Sequence, residues 1–282
     1  TSLHFPPWTT STLVRRNAVK YLYHEHTWPE IREAAQRKPV CVIPCGTVEQ
    51  HGPHLALAVD FVTAGMIGER AVQKVAPDAL LLPTVCYGFN EHHMDFPGTI
   101  GIPAQDFINY TANIGLSLAR HGFDKILYVN GHGSNRAFLE IAAREVCNRS
   151  DAFAALVSWW SLIPRPLLDE ALTSEVPGGV SHACELETSA LLYLRPDLVD
   201  MSKAVKDQGF IPGRYMWRDL RATSPLVFNE QWSRFSRTGI QGDPTLATAE
   251  KGRVLVDAAV EHLAGLLAEL KAREFQPRVD HH

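Results

Sequence analysis

Residues 40–52 read VCVIPCGTVEQHG, an apolar segment followed directly by a polar run. An apolar segment without alternating polar residues is typical of a strand buried on both faces, as in a parallel sheet. The segment turns at Gly46, and Glu49, Gln50 and His51 follow it. We therefore predict a central strand over 40–44 whose carboxyl end leads into side chains that can bind a metal or move a proton.

Similar apolar segments occur further along the chain, at residues 79–85, 124–129 and 152–160. Segments of helical character precede or separate them, and we predict helices over about 27–36, 61–75, 104–121, 135–147, 187–193 and 245–273. Residues 161–181 and 197–242 read as irregular. Buried strands that alternate with amphipathic helices indicate a largely parallel sheet with helices on both faces.

The loops that follow the first three strands are rich in polar residues, and ligands of parallel sheets bind beyond the carboxyl ends of strands. We expect these sequence-distant loops to meet at one mouth. No shift in composition marks a boundary, so residues 1–282 are interpreted as a single domain.

Composition excludes several classes of function. The net charge is -4 and the sequence pI is about 6.3, whereas binding to nucleic acid or an anionic membrane surface favours a basic excess. No apolar run approaches the roughly 20 residues that span a bilayer, and the start of the chain lacks the pattern of a signal peptide. The five cysteines include no C-x-x-C pair and are typical of reduced thiols. We expect a cytoplasmic protein without nucleic-acid or membrane partners.

Four side chains at two strand ends form a candidate metal-binding set. Glu49 and His51 are spaced i, i+2, so an extended loop places both on the same side. Asp60 follows an apolar run, and a carboxylate desolvated there needs a partner such as a metal ion. His132 lies between Gly131 and Gly133, directly after the strand over 124–129. The alternative is a pair of surface loop residues, an aspartate that caps the following helix, and a histidine with a structural hydrogen bond.

Two further segments carry weaker signals. Residues 181–189 read SHACELETS and open a helix, where His182 is a candidate general acid or base and Glu185 or Glu187 a ligand or orienting group. The alternative is a helix N-terminus with acidic residues that favour its dipole. In residues 88–99, GFNEHHMDFPGT, adjacent histidines are weak evidence by themselves, although Pro97 and Gly98 indicate a rigid turn.

Taken together, these motifs resemble the creatininase (creatinine amidohydrolase) family of metal-dependent hydrolases. The run GTVEQHGPHL at 46–55 with Asp60 resembles the metal-binding opening of the family, and NGH at 130–132 its second metal motif. FPGT at 96–99 and ETS at 187–189 match further family signatures, and the resemblance covers roughly residues 38–200. It implies a three-layer α/β/α sandwich with a largely parallel central sheet.

The resemblance also implies the composition of the site. Two divalent ions (Zn, Mn or Fe) would be bound, one by Glu49, Asp60 and His132, the other by His51 and the shared Asp60. His182 would transfer protons, and we expect Glu187 to assist it. Substrate contacts are expected at three positions: Asn90, where creatininase itself has a substrate-contacting serine, His93, which falls on the loop histidine of the family, and Ser134. Family members also suggest a homo-oligomer, often a hexamer, that acts on a small-molecule substrate.

One departure separates this chain from creatininase proper, which has a glutamate ligand two residues after the motif histidine. Here that position is Ser134, which resembles other branches of the family that have a small residue there, and Glu185 is our candidate to replace the missing carboxylate. The expected reaction is hydrolysis of a non-peptide amide or cyclic amide C–N bond in a small polar substrate, with a lactone or keto-sugar substrate as the alternative. A binding module without chemistry is disfavoured by the intact ligand set. Trp159, Trp160 and Trp217 are either walls for a flat substrate or core residues.

Overall fold

The central sheet consists of strands β1 (Val40–Cys45), β2 (Ala79–Leu81), β3 (Lys125–Asn130) and β4 (Phe153–Ser158). They are seen in a computed structural model that describes residues 19–209 and 211–282. The spatial order is β2-β1-β3-β4 and every pairing is parallel. β2 is shorter than the predicted strand over 79–85, because Pro83 has no N–H to continue the ladder and only Val85 bridges back to Cys45.

The described helices occupy both faces of this sheet. They are α1 (Trp28–Gln36), α2 (Val59–Val75), α3 (Ala104–Arg120), α4 (Asn135–Arg149), α5 (Arg165–Ala171), α6 (Glu185–Leu194) and α7 (Ala249–Ala272). α5 lies inside a segment predicted to be irregular, and its seven residues are too few to show a helical period. α6 begins at Glu185, two residues earlier than predicted, so both of its glutamates lie in the first turn.

Alternate residues of β1 pack into two separate cores. Val40 and Val42 face one core with α2 and α7, whereas Cys41 and Ile43 face the other with α3 and α4. This division confirms the predicted α/β/α sandwich, with Trp159 buried in the first core. Within the described ranges, no helix is long and apolar enough to cross a membrane.

A small antiparallel sheet completes the carboxyl edge of the main sheet. It pairs β5 (Val180–His182) with β6 (Gln241–Gly242). The pairing brings the long segment between α6 and α7 back to the loops that follow β1, β2 and β3. That segment contributes Trp232, which packs against the imidazoles described below.

Candidate metal centre and active-site cavity

The first group of candidate ligands combines the loops after β1 and β3 with the first turn of α2. Nδ1 of His132 lies 2.9 Å from Oε2 of Glu49 and 3.1 Å from Oδ2 of Asp60. All three side chains are buried, and their ligand atoms lie within 4.8 Å of one another. Two carboxylates and one imidazole at such distances form a suitable site for Zn²⁺, Mn²⁺ or Fe²⁺.

The second group consists of His51, His182 and Glu187, again buried and within 4.8 Å of one another. It is joined to the first group by Asp60, whose Oδ1 lies 3.2 Å from Nε2 of His51. The two oxygens of Asp60 therefore face different groups of ligands. A carboxylate placed in this way could contribute one oxygen to each of two ligand groups.

Backbone carbonyls orient three of the imidazoles. Nε2 of His132 contacts the carbonyl of Phe89 at 3.1 Å, Nδ1 of His51 contacts that of Glu49 at 3.1 Å, and Nε2 of His182 contacts that of Gln50 at 2.9 Å. A ring nitrogen that contacts a carbonyl must carry the proton, so the opposite nitrogen of each ring faces the carboxylates. Metal-ligating histidines are typically oriented in this way.

Gln50, which our sequence analysis did not single out, fixes the fourth imidazole. Its Nε2 lies 2.8 Å from Nδ1 of His93 and 3.0 Å from the carbonyl of Gly239, so it donates to both. Nε2 of His93 then carries the ring proton and points at Oε1 of Glu49, 3.2 Å away. Gln50 therefore holds the His93 ring beside Glu49. Gln50 lies within the EQH run and His93 shortly precedes FPGT, but a hydrogen bond between distant loops leaves no periodic signal in a sequence.

Unpaired polar atoms provide the test of whether the site suits metal ions. Both carboxylate oxygens of Glu49, Oδ2 of Asp60 and Nε2 of His51 are buried without a hydrogen-bond partner of acceptable angle among the described residues. Buried carboxylates without partners are costly, and bound cations would remove that cost. The residues present therefore fit a pair of divalent ions.

The two ligand imidazoles beside Asp60 hold protons strongly in the metal-free chain. Burial lowers the pKa of His132, but Glu49 and Asp60 outweigh that effect and raise it to about 10. Burial likewise opposes the charge on His51, but Asp60 and Glu187 raise its pKa to about 9. In the metal-free chain, protons on these two rings therefore occupy the positions where we expect cations to bind.

Three other groups of the cluster, His182, His93 and Glu187, are shifted towards their neutral forms. Burial, together with the charge on His51, holds the pKa of His182 well below its usual range, and burial does the same for His93. Burial raises the pKa of Glu187 to about 7. His182 is therefore a neutral imidazole whose Nδ1 faces Oε1 of Glu49 at 3.4 Å, available to accept a proton.

Glu185 does not lie in this cluster, which corrects the expectation that it completes the metal shell. Its carboxylate accepts hydrogen bonds from the backbone N–H groups of Thr173 and Ser174 and pairs with Lys251. Residues two positions apart on a helix are rotated by about 200° around its axis, so Glu185 and Glu187 lie on nearly opposite sides of α6. The helix geometry places Glu187 at the site and Glu185 against α7.

A cavity of about 1020 Å³ opens over the cluster. Glu49, Asp60, His132, His182 and Glu187 lie at its base, and its walls include Phe89, His92, His93, Ser134, Trp160, Trp217 and Trp232. Of the three tryptophans considered as walls, Trp160 and Trp217 line this cavity.

Ser134 and His92 line the cavity, whereas Asn90 is buried beside it. Oγ of Ser134 lies 2.9 Å from Nε2 of His92, so these two form a polar patch on the wall. Burial lowers the pKa of His92 to about 3, so this ring is neutral. Asn90 is fully buried and donates to Thr47 and Val48, which joins two loops. Substrate contact at Asn90 stays a prediction.

Comparison with known proteins places this geometry in a family. The sequence profile of the creatininase family, described as creatinine amidohydrolase, matches residues 24–267. The chain is 27% identical over 267 residues to the creatinine amidohydrolase of Pseudomonas putida, covering 90% of this chain and 96% of that protein. It is 31% identical over 254 residues to the mycofactocin precursor peptide peptidase of Mycobacterium ulcerans, covering 84% and 86%. The 3-dehydro-scyllo-inosose hydrolase of Thermotoga maritima is 26% identical, covering 88% and 82%.

Solved structures agree with the sequence comparison. A crystal structure of creatininase superimposes with a TM-score of 0.77 at 25% identity, covering 91% of this chain and all of that one. Other creatininase structures with a TM-score of 0.76 are described as a manganese form and a zinc–zinc form. The profile match, the peptidase relative and the shared fold together show that this chain belongs to the creatininase family.

Proposed function

We propose that this creatininase-family hydrolase cleaves an amide or cyclic amide C–N bond of a small polar substrate, using two divalent metal ions. Glu49, Asp60 and His132 would hold one ion, and His51, Asp60 and Glu187 the other. The observation that carries the proposal is Asp60, whose two oxygens face two separate groups of ligands. Bound divalent ions supply water activation near neutral pH and polarisation of a carbonyl group.

The chain's own residues supply the proton transfer and the positioning. The contact of Nε2 of His182 with the carbonyl of Gln50 leaves Nδ1 facing the ligand groups. From there Nδ1 takes up a proton from the attacking water and returns it to the leaving nitrogen as the C–N bond breaks, first as general base and then as general acid. Glu187, in the same ligand group as His182, positions this imidazole as well as binding metal. His93, whose Nε2 lies 3.2 Å from Oε1 of Glu49, adjoins this ligand at the site.

The substrate class draws support from the cavity and from the relatives. Four aromatic residues, Phe89, Trp160, Trp217 and Trp232, line the cavity and suit a flat group such as an amide. Creatininase and the precursor-peptide peptidase are both similar to this chain. The similarity to a 3-dehydro-scyllo-inosose hydrolase favours a second candidate, hydrolysis of a lactone or keto-sugar derivative at the same site.

The test is metal analysis and a substrate panel on the wild-type protein and on Asp60→Asn. The panel contains lactams, formamides, N-acyl amines, short peptides and sugar lactones, so that only the leaving atom and its substituents vary. We expect about two ions per chain in the wild type, loss of at least one in the variant, and a fall in kcat of about a thousandfold or more.

Asp106→Asn is the matched control, since Asp106 also lies in the first turn of a helix but is exposed. It should retain its metal and its activity. Full metal content and full activity in Asp60→Asn would refute the proposed site. We also propose a homo-oligomer, which light scattering of the purified chain tests directly.

A further inference from the structure

Arg218 lines the cavity and has no carboxylate within 4.0 Å among the described residues. The only hydrogen bond of its guanidinium to a described residue runs from Nη2 to the carbonyl of Phe228, 3.1 Å away. Nε is buried without a partner. Burial lowers the pKa of Arg218, which shows that its charge is poorly solvated. A desolvated cation that lacks an anion is costly unless a ligand supplies one.

The neighbouring Arg221, by contrast, has an acidic partner and several hydrogen-bond acceptors. Its guanidinium pairs with Asp219 at 3.1 Å and also donates to the carbonyls of Ser174 and Glu175. Glu230, on the same cavity wall as Arg218, is already paired with Arg234 at 2.9 Å. Arg221 and Arg234 are therefore paired with acidic side chains, whereas Arg218, which lines the cavity, has no such partner among the described residues.

Aromatic rings hold the unpaired guanidinium in a fixed position. Cζ of Arg218 lies 4.6 Å from the ring centroid of Phe228, 5.2 Å from that of Trp232 and 5.1 Å from that of Phe235. Such stacking stabilises a cation and restricts its rotation without consuming its hydrogen-bond donors.

The same tryptophan connects Arg218 to the metal cluster. The Trp232 ring stacks on His93 with centroids 4.5 Å apart, and its centroid is 4.9 Å from that of His182. Arg218 is thus separated from the imidazoles of the cluster by one aromatic ring. Arg218 and the cluster line the same cavity, so a substrate bound there can contact both.

We propose that Arg218 binds a carboxylate of the substrate, so that the enzyme selects amides that carry a negatively charged group near the scissile bond. A planar guanidinium with free N–H groups matches the planar, bidentate geometry of a carboxylate. This inference rests on the proposed function and narrows its substrate class. The carboxylate belongs either to a small acid, such as an N-acyl amino acid, or to the C-terminus of a short peptide.

Paired probes that differ only in charge test the inference on the metal-loaded protein. The first pair is N-formyl-phenylalanine and its carboxamide, and the second is a tri-alanine peptide with a free and with an amidated C-terminus. KM and kcat are measured for the wild type, Arg218→Gln and Arg218→Lys. Thermal shift is measured with every probe, so that binding is detected even without turnover.

Arg214→Gln is the control, since Arg214 is exposed in the same segment and stacks on Tyr215, without lining the cavity. We expect Arg218→Gln to raise KM for the free acids about 10- to 100-fold and KM for the neutral partners less than about twofold. Arg218→Lys should raise KM for the free acids less, because lysine keeps the positive charge but lacks the planar pair of N–H donors of the guanidinium. The probe pair whose free acid shows the larger rise in KM identifies the source of the carboxylate, a small acid or a peptide C-terminus.

Equal binding of acid and amide by the wild type would overturn the inference, and so would an equal rise in KM for both partners in Arg218→Gln. If Arg218→Gln does not fold, the same comparison is made with Arg218→Lys. A failure of the proposed function looks different. No probe is then hydrolysed, while the acids still stabilise the wild type more than the variants against heat.

Discussion

Glu185 and Glu187 lie on one turn of α6 but contact different parts of the molecule, and replacing each with glutamine should separate stability from metal binding. Glu185 is fully buried and its carboxylate is surrounded by Thr173, Ser174 and Lys251. Glu187 instead faces the candidate metal ligands. We therefore expect Glu185→Gln to destabilise the fold without loss of metal. Glu187→Gln should lose metal without destabilising the fold.

The contacts of Glu185 determine how much unfolding free energy the Glu185→Gln variant loses. The variant loses the pairing with Lys251 and turns one acceptor oxygen into an NH₂ group that faces N–H donors. Breaking a buried ion pair costs about 3–5 kcal/mol, and the lower end applies because the Lys251 side chain remains 22% exposed and can be hydrated. With an unfolding entropy of about 2.1 cal/mol/K per residue over 282 residues, about 3 kcal/mol lowers Tm by roughly 5 °C.

The expectation for Glu187→Gln depends on its titration. Burial raises the pKa of this carboxyl group from its ordinary value of 4.5 to about 7 in the metal-free chain. Its ionised form therefore costs stability as pH rises from 4.5, and the full cost is present above 7. Glutamine removes that cost, so the metal-free variant should be no less stable than the wild type, and relatively more stable at pH 8 than at pH 5. The metal-loaded variant should lose about one ion per chain.

Thermal melts with and without a chelator, combined with elemental analysis, measure both effects. The reasoning is refuted if Glu185→Gln loses metal while its Tm is unchanged, because Glu185 would then be the ligand that replaces the carboxylate missing at Ser134. It is equally refuted if Glu187→Gln binds two ions with the affinity of the wild type.

Two further outcomes are expected from the geometry of the site. The carboxylates hold the pKa of His51 at about 9 and that of His132 at about 10 in the metal-free chain, so metal binding at pH 7.5 should release protons from both rings. Affinity should then fall as pH falls, and titration calorimetry in buffers of different ionisation enthalpy measures the protons released; no release at pH 7.5 would contradict these protonation states. Gly239 has φ +85° and an added Cβ would collide with the Gln50 carboxamide, so Gly239→Ala should displace Gln50 from His93. We expect a drop in kcat of about tenfold or more with nearly unchanged metal content, and a variant with wild-type kcat would remove Gln50 from the positioning of His93.

Much of the fold was predictable because it depends on local patterns. Buried strands such as β1 and β3 are apolar on both faces, and the helices between them carry a regular apolar stripe, so their existence and their parallel arrangement follow from periodicity. β2 and α5 were predicted less well. The proline after Leu82 interrupts a ladder that hydrophobicity alone would extend, and α5 is too short for its period to be visible.

The candidate ligands were likewise accessible from motifs, whereas their partners were not. Glu49, His51, Asp60 and His132 follow strand ends in recognisable runs, and the structure brings them together. Arg218 belongs to a segment between α6 and α7 that matches no motif. Its lack of an acidic partner is visible only once the surrounding rings are in place.

The sequence by itself determined the family, the layered α/β architecture and the loops that meet above the sheet, since these follow from short-range patterns and ordered motifs. Only the tertiary structure decided between Glu185 and Glu187, joined Gln50 to His93 and showed Arg218 without a counter-charge within residues 19–209 and 211–282. The physical reason is that a side chain's role depends on which distant groups share its low-dielectric surroundings. Residues two positions apart in the same motif can therefore end on opposite sides of a helix, one beside metal ligands and the other beside a lysine.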